Sequence, residues 1–156
     1  MDIAFTVNGT KQRVDVLETA TLLDVLRNRL GLMGTRYGCG LEQCGSCVVL
    51  VDGQPTHACT REVGTVAGRA VATVEGLGTA EKPHPIQQAF LDEQAGQCGY
   101  CLSGIVMSTK ALLDRNPDPS RADIVAALDG HLCRCGAHQR ILRAVERAAA
   151  SLRGAA

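Results

Sequence analysis

Eight cysteines, spaced C-x4-C-x2-C, a lone cysteine, C-x2-C and C-x-C, constrain this 156-residue chain more than any other feature. They are Cys39, Cys44, Cys47, Cys59, Cys98, Cys101, Cys133 and Cys135. A chain of this length builds one ordinary domain or two very small ones, and small cores need staples such as metals or disulfides. The opening stretch Met1–Val14 lacks a basic segment followed by an apolar one, so no signal peptide is expected there. No apolar run approaches the ~20 residues of a membrane-spanning helix. Without a secretory signal, disulfides become the weaker reading and metal ligation the stronger.

The first four cysteines follow the plant-type [2Fe–2S] spacing, a C-x4-C-x2-C loop with a distant fourth ligand. Three thiolates must converge on a compact cluster from one short segment. Gly38, Gly40 and Gly45 let that segment bend, because they carry no Cβ. Cys59 then closes the set from the hairpin beyond Asp52-Gly53. Structural zinc sites favour two short paired spacings, so one triplet plus a single cysteine fits a cluster better.

The second set, Cys98, Cys101, Cys133 and Cys135, is less diagnostic, and taken alone it suits zinc as well. The first set favours a cluster here too. Both cysteine pairs also precede segments with helical patterning. Two helix N-termini aimed at a net-negative cluster would stabilise its charge and raise its reduction potential.

Around these loops the chain changes character. Ile3, Phe5 and Val7 alternate, Asn8-Gly9 signals a hairpin, and Val14 and Val16 alternate on the return strand. Thr21 reads as a helix N-cap. Leu22, Val25, Leu26 and Leu30 follow helical spacing, with Gly31 as the stop. Strands are expected at 48–51, 54–60 and 71–74. Gly78, Pro83 and Pro85 punctuate a linker. Helices are expected at 85–95, 102–115, 120–130 and 138–152. The order helix, cysteine pair, helix occurs twice there, as in a loose duplication. The fold class is therefore α+β: residues 1–78 form a small mixed sheet with a helix across it, 79–84 a linker, and 85–156 an all-α region. Only 3% of residues are aromatic and none is Trp, so the cores must be aliphatic.

The segments Tyr37-Gly-Cys-Gly-Leu-Glu-Gln-Cys-Gly-Ser-Cys47, Gln97-Cys-Gly-Tyr-Cys101 and Cys133-Arg-Cys-Gly136 occur in that order. Together they closely resemble the iron–sulfur small subunit of the molybdenum hydroxylase (xanthine oxidase) family, over nearly the whole chain. The resemblance implies a ferredoxin-like β-grasp domain followed by a four-helix domain, each with a [2Fe–2S] cluster. It implies a separate large subunit carrying molybdenum bound to a pterin, with Gln97 and Cys135 approaching that molybdopterin cofactor. Electrons would run from molybdenum through the 98/101/133/135 cluster to the 39/44/47/59 cluster. Gly40-Leu-Glu-Gln-Cys44 looks like the isoquinoline 1-oxidoreductase and nicotinate dehydrogenase branch. Membrane-bound aldehyde dehydrogenases of acetic acid bacteria use a similar small chain. In that branch electrons often leave to a cytochrome c subunit instead of FAD. Leu102-Ser103-Gly104 and His138 depart from the residues many relatives carry.

Charge excludes one class: 16 basic and 16 acidic residues leave no basic footprint for nucleic acid. No flavin or dinucleotide fingerprint is present, since Gly38-Cys-Gly40 lacks the third glycine. His138 reads as a packed residue at a helix start; His57 and His84 read as structural or exposed. Arg134, between two ligands, can offset cluster charge. Arg140, Arg143 and Arg147 share a helix face, a solvated stripe or a docking face for an acidic partner. Asp92-Glu93 falls on a helix surface, and no paired-carboxylate chemistry is indicated. The rival readings are a free two-cluster ferredoxin and a zinc-stabilised interaction module. Substrate and compartment stay open: the cytoplasm, or membrane association or the periplasm through partner subunits.

Overall fold

The computed structural model describes residues 1–155; Ala156, the end of the expected helical region, lies outside the described residues. Strands β1 (Asp2–Val7) and β2 (Thr10–Asp15) pair antiparallel around Asn8-Gly9, where both residues take positive φ (49° and 80°). Asp52 and Gly53 (47° and 78°) turn β3 (Val48–Val51) into β4 (Gln54–His57) the same way. That double left-handed turn matches the twist of the flanking strands. With β5 (Ala70–Ala72) the sheet order is β2-β1-β5-β3-β4, and β5 runs parallel to β1 and antiparallel to β3.

The first helical segment is shorter than its apolar spacing suggests. Thr21 does cap it, accepting from the Asp24 N–H at 3.2 Å. The α-helical part α1 covers only Leu22–Asp24, and the chain then widens into a π turn over Val25–Arg29. At its entry the free Leu22 and Leu23 N–H groups bond to the Arg61 and Ala58 carbonyls. This ties the helix entry to the chain around Cys59. Leu22, Val25 and Leu26 are fully buried against Phe5, Val49, Val63 and Val66 on one face of the sheet.

The other face of β3 is also covered. Val48 and Leu50 pack on Met107 and Ala111 of α3 (Leu102–Arg115). Strand β3 is thus buried on both faces and reads as a continuous apolar run, Val-Val-Leu-Val. Beyond the sheet lie α2 (Pro85–Asp92), α3, α4 (Arg121–Leu128) and α5 (His138–Gly154). They bury Ile86, Phe90, Ile105, Leu112, Ile124, Ile141 and Val145 in an aliphatic core. Among the described residues no helix is long and apolar enough to cross a membrane.

Several expected strand and helix ends move. Strand β5 stops at Ala72 because the Asn8 side chain takes the Thr73 N–H at 2.8 Å. Strand β4 stops at His57, and the chain turns over 58–60 to present Cys59. Helix α2 stops at Asp92, with Gln94 left-handed at φ 48°.

His84 caps α2. Its Nδ1 accepts from the Ile86 N–H at 3.2 Å, and Gln87 Oε1 accepts from the His84 N–H at 2.9 Å. Only an unprotonated Nδ1 can accept. Burial first, then the Lys110 charge, hold this imidazole below its ordinary value, with Asp114 opposing. A depressed folded-state pKa contributes stability above the unfolded value of about 6.5 that is lost as pH falls through the folded value. Wild type should therefore lose more thermal stability than His84→Asn between pH ~7.5 and ~5.5, because Asn caps without titrating. Identical pH slopes in the two proteins would remove the cap from the account.

Candidate metal centres

All eight cysteines are free thiols, so neither set is spent on a disulfide. The structure brings them together in pairs. In the first set the Cys39 thiol neighbours that of Cys44, and the Cys47 thiol that of Cys59. In the second, Cys135 Sγ lies 3.5 Å from Cys98 Sγ, and the Cys101 thiol contacts that of Cys133. Among the described residues no three or more His, Cys, Asp or Glu side chains are placed around a single metal ion. An all-thiol quartet split into two close pairs suits a binuclear cluster, in which each iron takes two protein ligands.

The 39–47 loop is shaped to favour negative sulfur. The Leu41 and Gln43 N–H groups point at Cys39 Sγ (3.3 and 3.2 Å), and the Cys39 N–H points at Cys44 Sγ (3.4 Å). The Leu41 contact and then the Gln43 contact pull the Cys39 thiol down to about 7. Gly40 and Gly45 sit at φ 71° and 76°, which makes these inward N–H directions accessible. Glu42, also left-handed, accepts a hydrogen bond from the Thr60 hydroxyl, fastening the loop to the residue after Cys59. Cys47 is different: burial pushes its thiol up to about 12.

The second set mirrors this division. Burial pushes Cys101 up to about 12, whereas the Tyr100 N–H at 3.5 Å lowers Cys98. Burial opposes ionisation of Cys133, yet the Ala137 N–H, with Cys101, Cys135 and Gly136, brings it below its ordinary value. Cys39 in the first set and Cys98 and Cys133 in the second are thus favoured to ionise, beside Cys47 and Cys101, whose burial resists it. Cys101 is the N-cap residue of α3, and Cys133 and Cys135 precede α5 by one turn. Helix ends serve the second set and turn N–H groups the first, so favourable dipoles act on both.

Gln97 is exposed and lines an open cleft of about 690 Å³ with Gln87, Phe90, Gln94, Leu102 and Arg140. Arg143 and Arg147 are not a free stripe: they pair with Glu93 (both at 3.3 Å), and Arg147 also with Asp92 (3.0 Å), joining α5 to α2. Arg134 and His138 are exposed.

Other contacts lie between the two sets and have no motif of their own. The Leu132 N–H, one residue before Cys133, donates to the Cys44 carbonyl at 3.0 Å. The Tyr100 hydroxyl donates to the Tyr37 carbonyl, and Arg36 lies 5.0 Å from the centre of the Tyr100 ring. His131 is buried, with Nε2 2.7 Å from Ser108 Oγ, and burial pushes its pKa down to about 4.

Two family profiles match. A 2Fe-2S iron-sulfur cluster binding domain covers residues 5–70, and a [2Fe-2S] binding domain covers residues 73–146. One subunit of the nicotinate dehydrogenase of Pseudomonas putida is 51% identical over 97% of this chain and 96% of its own length. The alpha subunit of isoquinoline 1-oxidoreductase from Brevundimonas diminuta is 49% identical over 94% and 97%. Among solved structures, aldehyde oxidoreductase from Desulfovibrio gigas superposes with a TM-score of 0.96 at 40% identity. That match takes in all of this chain but only 18% of the longer one. Quinoline 2-oxidoreductase from Pseudomonas putida 86 gives a TM-score of 0.93 at 36% identity, over 99% of this chain and 96% of that one. The chain belongs to the [2Fe–2S] small subunits of the molybdenum hydroxylase family, the electron-transfer subunits of molybdenum-dependent oxidoreductases.

Proposed function

We propose that this chain holds two [2Fe–2S] clusters and relays electrons from a molybdopterin centre on a large partner subunit to a cytochrome c or FAD acceptor. Cys39 and Cys44 hold one iron of the first cluster, and Cys47 and Cys59 the other. Cys98 with Cys135 and Cys101 with Cys133 divide the second cluster the same way. The division of the chain that goes with this is 1–78 as a β-grasp ferredoxin-like domain, 79–84 as linker, and 85–156 as a four-helix cluster domain. Each cluster, when bound, supplies a one-electron carrier. The chain's own residues do the rest. Turn N–H groups stabilise sulfur charge, Met107 and Leu50 exclude water between sheet and helix, and the two quartets are held in fixed juxtaposition.

The observation that carries the reading is the Leu132 N–H to Cys44 carbonyl bond at 3.0 Å. It joins the backbone next to a ligand of one quartet directly to a ligand of the other, a short bonded route between them. The cleft lined by Gln97, next in sequence to Cys98, whose Sγ lies 3.5 Å from that of Cys135, supports placing the pterin at that end. The complete enzyme would oxidise an aldehyde or hydroxylate an N-heteroaromatic ring, as the names of its relatives suggest.

Iron and labile-sulfide analysis with low-temperature EPR tests this. A red-brown protein with two distinct [2Fe–2S] signals is expected, and a colourless zinc protein would overturn it. Native purification should bring down a large molybdopterin subunit. Recovery as a soluble, monodisperse, partner-free protein would favour the rival ferredoxin. A copurifying chain with C-x-x-C-H haem motifs would fix the acceptor as a cytochrome, and a flavoprotein would fix it as FAD.

A further inference from the structure

Three segments meet between the quartets: the loop 44–46, the first turns of α3 at 103–108, and the turn 131–132. Their approach is unusually close. A Cβ on Gly104 would sit 1.9 Å from the Gly45 carbonyl oxygen, so the α3 backbone touches the first cluster loop only because residue 104 has no side chain. A Cβ on Gly45 would in turn lie 2.3 Å from His131 Nδ1, so the imidazole rests directly on the same peptide. The ring is held from its far side by Ser108, 2.7 Å from Nε2. Ser103 Oγ reaches the Ser46 carbonyl at 3.4 Å, and the Leu132 N–H reaches the Cys44 carbonyl at 3.0 Å. Gly45, Ser46, Gly104, Ser108 and His131 are all buried.

We propose that Gly45, Gly104 and His131 form a steric joint that sets the separation and orientation of the two cluster loops, making His131 a positioning residue for inter-cluster electron transfer. The inference rests on the two-cluster reading above. The joint lies where cysteines flank every participating segment: Cys44 and Cys47 around Gly45, Cys101 before Gly104, and Cys133 after His131. A change of a few tenths of an ångström in it moves one quartet against the other while leaving the ligands of each intact. The imidazole fills the gap as a rigid, flat spacer. Its Nδ1 has no hydrogen-bond partner, so this contact is one of shape and not of polar pairing. The transfer is one electron leaving one cluster, which is oxidised, and reducing the other. Its rate falls steeply with separation, so the joint acts on the rate without touching either cluster.

The test uses the full chain with both clusters loaded, in complex with its partners, in three forms: wild type, Gly104→Ala and Ser108→Ala. Gly104→Ala forces the backbones apart. Ser108→Ala frees the imidazole without adding bulk. The readouts are iron per chain, the EPR signal of each cluster, the spin–spin splitting when both are reduced, and the inter-cluster transfer rate after a reducing pulse. Wild type lacking two cluster signals would overturn the two-cluster reading and not the joint. With that in place, Gly104→Ala should keep both signals, change the splitting, and slow transfer several-fold, because a Cβ 1.9 Å from the Gly45 carbonyl oxygen must push the two backbones apart. Ser108→Ala should change the splitting in the same sense but less. If Gly104→Ala does not assemble, Ser108→Ala decides alone. Fully loaded variants with wild-type splitting and wild-type transfer rate would overturn the proposal.

Discussion

On the proposed ligand assignment, Cys101→Ser should remove one cluster, leave the other, and stop the complete enzyme. Cys101 is buried at the N-cap of α3, and burial holds its thiol so high that only a bound metal keeps it ionised. A serine hydroxyl at that place is a poorer match to iron and is harder still to ionise there. Iron per chain should fall to half, and one of two EPR signals should vanish. Turnover with the acceptor should fall to about one-hundredth or less, beyond what outer-shell losses at metal sites give. The helical part also loses the metal's contribution to folding, so unfolding should begin there. Cys59→Ser is the mirror experiment: it removes the other signal and spares the first. Retention of both signals in Cys101→Ser would dismantle the ligand assignment, and loss of the same signal in both variants would merge the two quartets into one site.

Much of this arrangement is legible in the chain because it is local. Asn8-Gly9 and Asp52-Gly53 announce their hairpins through residues that tolerate positive φ, and Thr21 announces its cap. The cysteine quartets are legible because the ligand spacing of a cluster loop is a short-range geometric demand. The pairing inside each quartet is not, since Cys47 with Cys59 and Cys98 with Cys135 close over folded distances that spacing does not encode. Leu22, Val25, Leu26 and Leu30 look like one continuous helix. The structure gives them one α turn, Leu22–Asp24, and then a π turn over Val25–Arg29, a change of pitch that apolar spacing does not encode. Arg143 and Arg147 look like a solvated stripe because their partners, Asp92 and Glu93, lie about fifty residues away. Gly104 is the clearest case. In sequence it is a helix-weakening residue near an N-terminus. Its reason exists only once Gly45 is laid against it.

Met107→Ala should be strongly destabilising. Met107 is 1% exposed and is packed on Val48, Leu50 and Ala111, the apolar cluster in which β3 meets α3. Truncating a buried Met costs about 2–5 kcal/mol, a large share of the ~5–15 kcal/mol that typically holds a domain folded. Met107→Leu nearly conserves volume and should cost less than about 1.5 kcal/mol. Denaturant unfolding measures both, and a loss in Met107→Ala no larger than in Met107→Leu would mean that this face does not fasten the two parts. The functional consequence follows from where the contact lies. Strand β3 begins one residue after Cys47, and α3 begins one residue after Cys101. Loosening Met107 therefore loosens a ligand of each quartet at once. Hydrogen exchange should rise in α3 and β3 together, and both clusters should be lost to a chelator faster in Met107→Ala than in Met107→Leu. If only one cluster becomes labile, the helix and strand are fastened independently, and the juxtaposition of the quartets must rest on the contacts around Gly45, Gly104, His131 and Leu132.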